Sequence, residues 1–467
     1  MKGVALLAAV PLLALAWPAS ATPDPSAPQQ TTAPRPASRH ALGQTAAPRG
    51  GTPEDIALAA LIRRAERDIS LGHLDAAERG LRQASAELAA RPVPDRDRIL
   101  AVDSWLAMTL ANRGQGAEAE AIARAIEAQA PRLGVDHPAV QRASLSLAVV
   151  AALGGRFDEA SDRLRRLVDL AVLAADPETA GQLSLMLSEA YRVQGRFQDA
   201  TDALALATLP GGAMAELGRL RQALDRGDDT GAITAADALL ADPETPDGIR
   251  AIALPLRATA LRRQAERGDA AALVEAEVSV RRALDGGLAA DNPMMPLLLQ
   301  ESLAMTLLVG AEEGSESPRI TEALALLRQI AERREALVGR DHPGAVGARM
   351  DYGVWLSVVG RRREAGKIFE ALAARDDASP GLLALDRRAL LDVSRATVMM
   401  RDLQLAQGYR TLRDASRRFQ IYALAAERRD GARQALAQRS SVYRNQVLIG
   451  WVYANALTAR QTAPRGD

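Results

Sequence analysis

The chain has 467 residues, of which 48% are hydrophobic and 25% charged, the balance of a folded chain long enough for several domains or one extended array. Lys plus Arg and Asp plus Glu both number 58, so no basic excess points to nucleic acid. Cysteine is absent, which excludes disulfides, thiolate metal sites and a thiol nucleophile, and lysine occurs only at 2 and 367.

The first residues carry a charge at Lys2, an apolar run over Val4–Ala16 and the small-x-small pattern Ala19-Ser20-Ala21. This is the layout of a secretory signal cut after Ala21, and the apolar run is shorter than the roughly 20 residues a spanning helix needs. Residues 22–52 are rich in Pro, Ala and Thr and are expected to form a disordered linker, because such a composition buries too little apolar surface to offset ordering.

From Pro53 the apolar spacing is helical throughout, with no run that alternates as a strand does. Glycines at 72, 114, 155 and 195 stand 42, 41 and 40 residues apart, and each is followed by an alanine with an apolar or small partner four residues on: Ala77/Leu81, Ala119/Ala123, Ala160/Leu164 and Ala200/Leu204. A residue four further along lies on the same helical face, and alanine lets two helices approach closely. Weaker copies follow at Gly227 with Ala232, Gly268 with Ala276 and the loop 310–317 with Ala323 and Leu327; the eighth is clear again at Gly360 with Ala365 and Phe369, and a weaker ninth pair is expected over Pro380–Ala425. Asp136-His137-Pro138, Asp176-Pro177-Glu178, Asp242-Pro243-Glu244, Asp291-Asn292-Pro293 and Asp341-His342-Pro343 are read as helix openings, in which Asp or Asn caps the first free amides, proline occupies the first helical position, and the turn residues His137 and His342 are given a capping or packing role. Asp430–Ala459 reads as one more helix, with Val447, Leu448, Trp451, Val452 and Leu457 on its apolar face; it serves either as the terminal cap an array needs or as a membrane-surface or partner-docking element.

The helix–Gly–Ala pattern resembles the tetratricopeptide repeat. Within that class, Gly134-Val135-Asp136-His137-Pro138 and Gly339-Arg340-Asp341-His342-Pro343 resemble the Gly-x-Asp-His-Pro linker of kinesin-light-chain-type repeats, over about residues 53–374. Where those repeats carry paired asparagines before the Leu-Ala of their first helix, this chain has Leu145-Ser146 before Leu147-Ala148. The resemblance implies an all-α, right-handed superhelical solenoid over 53–425, closed by a capping helix and tail over 426–467. It further implies a concave face lined by the first helix of each pair. Counting back from the turn glycines, the side chains expected on that groove are Glu66, Met108, Asn112, Arg142, Gln182, Glu189 and Arg192.

No catalytic arrangement stands out. There is no phosphate-binding loop ending in Gly-Lys-Ser/Thr, no His-Glu-x-x-His and no Gly-x-Ser-x-Gly, and the histidines at 40, 73, 137 and 342 share no ligand spacing. Glu118, Glu120, Asp158 and Glu159 sit among arginines at helical spacing and read as solvated ion pairs. No cofactor or metal is expected. The reading is a non-enzymatic adaptor, exported and periplasmic, that binds a protein or peptide on its concave face. The alternatives are a regulatory subunit of a separately encoded effector of caspase-like peptidase type, or an α-helical cell-wall hydrolase.

Overall fold

A computed structural model describes residues 53–92, 95–194, 196–207, 212–312, 314–378 and 385–427. The expected signal, linker and C-terminal capping helix, with Trp451, lie outside them. Nineteen helices are present among the described residues: α1 (Pro53–Ser70), α2 (Leu74–Ala89), α3 (Arg96–Asn112), α4 (Gly116–Glu127), α5 (Ala130–Leu133), α6 (Pro138–Leu153), α7 (Phe157–Leu173), α8 (Pro177–Val193), α9 (Phe197–Ala207), α10 (Ala213–Arg226), α11 (Asp229–Ala241), α12 (Asp247–Glu266), α13 (Ala270–Asp285), α14 (Met295–Leu307), α15 (Pro318–Val338), α16 (Pro343–Val358), α17 (Arg362–Ala378), α18 (Leu385–Arg401) and α19 (Leu405–Glu427). Apart from the one-turn α5, they pack as consecutive antiparallel pairs from α1/α2 to α18/α19, a tetratricopeptide-like helical repeat. No helix among the described residues is long and apolar enough to cross a membrane.

The turns within the pairs explain the glycines. Gly72, Gly114, Gly155, Gly227, Gly268, Gly310 and Gly360 all have φ between 72° and 110°, the left-handed region that ends a helix without a side-chain clash. The alanines that begin each second helix (77, 119, 160, 200, 232, 276, 323 and 365) are exposed by 1% or less. The ninth pair breaks both rules at once. Its turn is made by Leu403 at φ 62°, exposed to solvent, and the alanine position is held by Gly408. A Cβ there would stand 2.8 Å from the Met400 side chain, so α18 and α19 meet more closely than an alanine allows.

Helix openings follow the sequence at α6, α8 and α16, where the caps are His137, Asp176 and His342, and depart from it at two places. Asp176 caps α8 by accepting from the Thr179 N–H at 3.1 Å. At α6 and α16 the cap is the histidine and not the aspartate before it. His137 Nδ1 accepts from the Ala139 N–H at 3.3 Å, and His342 Nδ1 accepts from the Gly344 N–H at 3.0 Å. Proline occupies the first helical position, so the cap must be the residue directly before it. Asp242-Pro243 and Asn292-Pro293 do not open helices where expected; α12 begins at Asp247 and α14 at Met295. Each of these prolines is followed three residues later by another, Pro246 or Pro296, which would fall where the first intrahelical N–H is required. The helix therefore starts later.

Curvature comes from unequal spacing. Successive first helices touch, as α1 does α3, α3 does α6, α10 does α12 and α12 does α14, while second helices of neighbouring pairs stand farther apart. Long ion pairs span that wider outer gap: Arg82 to Glu118 at 2.8 Å, Arg156 to Glu120 at 3.2 Å, Arg163 to Glu127 at 2.6 Å, Arg281 to Glu322 at 2.7 Å and Arg319 to Glu277 at 3.0 Å. The first helices thus form the inner layer.

The array also returns on itself. The turn at Gly72 lies against Asn292, and the turn at Gly114 lies against His342, across more than 200 residues of chain, with α2 touching α15 between them. His342 is buried; burial and the Arg334 charge pull its pKa down to about 4, against a weaker opposing effect of the Asn112 backbone. The neighbouring Asp341 is paired with Arg375.

Two outcomes follow from this packing. Ala160→Leu forces extra methylenes between α6 and α7 and should lower stability by about 1–3 kcal/mol in urea denaturation. His342 is neutral when folded and has an ordinary pKa near 6.5 when unfolded, so its contribution is complete above pH 6.5 and declines as pH falls towards 4. Against His342→Asn, which keeps a capping side chain, the wild type should lose about 3 kcal/mol across that window. Parallel stability profiles for the two proteins would contradict this assignment.

Candidate functional site

The inner layer holds all seven side chains predicted for the groove, and none of them is exposed. Met108, Arg142, Gln182 and Glu189 are buried, while Glu66, Asn112 and Arg192 are half-buried. Asn112 turns back on its own helix, Nδ2 donating to the Met108 carbonyl at 3.0 Å. Glu66 and Arg142 fall in one polar cluster, Glu189 and Arg192 in another.

The first cluster joins α1, α3 and α6. Arg142 Nε donates to Ser104 Oγ at 2.9 Å, and its guanidinium lies 4.8 Å from the centre of the Trp105 ring. A cation over an indole face is attracted by the ring quadrupole, more strongly when water is excluded. Burial pulls the Arg142 pKa down to about 10, with the Glu66 charge opposing, so the group stays cationic at neutral pH. Burial pushes the Glu66 carboxyl up, against Arg142, a Trp105 hydrogen bond and Arg63. Arg142 Nη1 and Glu66 Oε1 are both buried without a hydrogen-bond partner.

The second cluster joins α8 and α10. Arg221 Nε donates to Glu189 Oε1 at 2.7 Å, Arg192 Nε stands 3.6 Å from Glu189 Oε2, and Arg192 pairs with Asp225. Burial pushes the Asp225 carboxyl up against the two arginines. The four charges cancel, yet Glu189 Oε2 and Arg192 Nη2 keep no hydrogen-bond partner; nor do the hydroxyls of Ser184 and Ser188 on the same helix. Beside it, the hydroxyl of buried Tyr191 accepts from Arg165 Nε at 2.9 Å while Arg196 covers the ring at 4.3 Å.

The groove prediction missed Ser104, Trp105, Arg221 and Asp225. Arg221 was within reach, because it stands six residues before Gly227 as Glu189 stands six before Gly195. Carrying the same register into the fifth pair finds it. Ser104 and Trp105 are visible only once α3 and α6 are side by side. Chemically, both clusters combine fixed cations, carboxylates and spare donors and acceptors, an arrangement suited to binding amides and charged side chains.

No protein-family model matches the chain, and no curated protein matches it at a significant level. Among solved structures it is similar to a Rap protein complexed with competence and sporulation factor, at 12% identity and a TM-score of 0.44, covering 85% of this chain and 99% of that one. It is also similar to Naa15/Naa10 bound to HypK-THB, at 15% identity and a TM-score of 0.19, covering 83% of this chain and 68% of that one.

The charge quartet around buried Glu189 makes a thermodynamic prediction. Arg221→Met leaves Glu189 with one partner fewer in a dry site and should cost about 3 kcal/mol, whereas Glu189→Met/Arg221→Met should recover most of the loss. Additive losses in a double-mutant cycle of denaturation midpoints would show that the pair is not coupled.

Proposed function

We propose that this protein is a non-enzymatic adaptor that binds a protein or peptide partner on its inner layer of first helices. The observation that carries the reading is where unused hydrogen-bonding capacity lies. Buried polar atoms without partners fall largely on first helices: Glu66 on α1, Arg142 on α6, Ser184, Ser188, Glu189 and Arg192 on α8, Arg250 on α12 and Gln300 on α14. On the outer layer, arginines and carboxylates are extensively paired, within a helix and between repeats. A buried donor or acceptor left unmade costs about 1–3 kcal/mol, and a bound peptide amide or side chain recovers that cost. The Gly-x-Asp-His-Pro segments at 134–138 and 339–343 favour repeats of kinesin-light-chain type, and the Lys2–Ala21 leader favours action in the cell envelope.

The test is site-specific photo-crosslinking from envelope extract, with the reactive residue placed at Gln182 on the inner layer or at exposed Arg166 on α7. One stoichiometric adduct from position 182, lost in Glu189→Ala/Arg192→Ala and absent from position 166, is the expected result. The same bulk proteins captured from both positions would overturn the assignment.

A further inference from the structure

We propose that the array is held shut by a clasp, the turns of its first two pairs seated on Asn292 and His342, and that the clasp must open before a partner reaches the inner layer. The inference rests on the binding role given above for its consequence, though not for its geometry.

Three observations carry it. The first is the intimacy of the seat. A Cβ on Gly114 would stand 2.8 Å from His342 Cδ2 and 3.4 Å from its Cα, and a Cβ on Gly72 would stand 2.6 Å from Asn292 Oδ1. Positions so far apart in the chain approach this closely only because the superhelix comes round to meet its own beginning. The second is how little of the inner helices faces solvent in the closed array. Residues 104–111 of α3, 145–152 of α6 and 186–191 of α8 are buried without interruption, so more than one full turn of each helix has no side facing solvent. A surface helix of a repeat array keeps a solvated stripe, as α7 does with exposed Asp162, Arg165, Arg166 and Asp169. The third is the chemistry of the seat. His342 spends Nδ1 on capping α16, only the Asn112 backbone offers its ring a further polar contact, and the contacts at Gly72 and Gly114 are made by residues that bring no side chain of their own. Such a contact excludes water while relying on few strong interactions, which suits an interface that opens.

The test needs no partner and uses the full chain, whose lack of cysteine makes any introduced thiol unique. Ser188→Cys puts one thiol in the inner layer, and its rate of reaction with a maleimide reads access. Gly114→Gln wedges the clasp; Gly227→Gln imposes the same positive φ of 74° where nothing lies within 4 Å, and so controls for backbone strain. Labelling at least tenfold faster with Gly114→Gln than with Gly227→Gln is expected, and equal rates overturn the clasp. Hydrogen exchange reads the same motion in the opposite sense. The Gly114 Cβ position lies 3.4 Å from His342 Cβ, close to disulfide reach, so oxidation of Gly114→Cys/His342→Cys should slow exchange over residues 139–152 relative to the reduced form. Unchanged exchange on oxidation likewise overturns it. A clasp that passes both tests while crosslinking captures no inner-layer partner would leave the closure standing and remove the binding role.

Discussion

Everything in this fold depends on how near the two helices of a pair can come. The left-handed glycine turn reverses the chain in the fewest residues, and the buried alanine five residues later in most pairs sets the helix separation. With only 3% aromatic residues, the protein has few large side chains with which to fill a wider gap. Close approach therefore carries the packing, and leucines such as Leu81, Leu164 and Leu204, four residues beyond their alanines, fill the seam. The ninth pair shows the same constraint met another way. It moves the missing Cβ from the turn to the interface, with Leu403 strained in the loop and Gly408 flat against Met400.

Unequal spacing converts these pairs into a curved object with two chemically distinct layers. Inside, first helices touch and their polar groups lie dry, held in clusters that leave some atoms unsatisfied. Outside, second helices are joined by arginines reaching about one repeat along. Each exposed pair contributes little by itself, on the order of 0–1 kcal/mol. The inner clusters are fewer but act in a less polarisable setting, where losing one partner strands a charge.

Much of this was legible in the sequence because it is local. A glycine that must adopt positive φ, an alanine at a fixed offset and a proline at the first helical turn each act within a few residues, so pairs such as α6/α7 and α16/α17 can be located from composition and spacing alone. The errors share a cause. Pro246 and Pro296 delay their helices because a second proline removes a required N–H, a rule that single-motif reading overlooks. The ninth turn escaped sharp definition because Leu403 does without glycine. The site was legible as a register but not as an environment. Glu189 and Arg192 were found on the inner layer, yet their burial and the stacking of Arg142 on Trp105 depend on side chains supplied by the neighbouring pair, and the meeting of Gly114 with His342 on a pair far along the chain. Contacts across more than 200 residues leave no period to read.

The outer ladder of arginine–carboxylate bridges has a mechanical meaning. A guanidinium on a long side chain can swivel and shift while keeping its carboxylate, so these links resist separation of neighbouring repeats far more than they resist bending. An array with tightly knit apolar contacts inside and pivoting tethers outside behaves as a leaf spring, stiff along its inner leaf and compliant along its outer one. Mobile salt screens the exposed tethers over about 8–10 Å and leaves the dry inner leaf almost untouched.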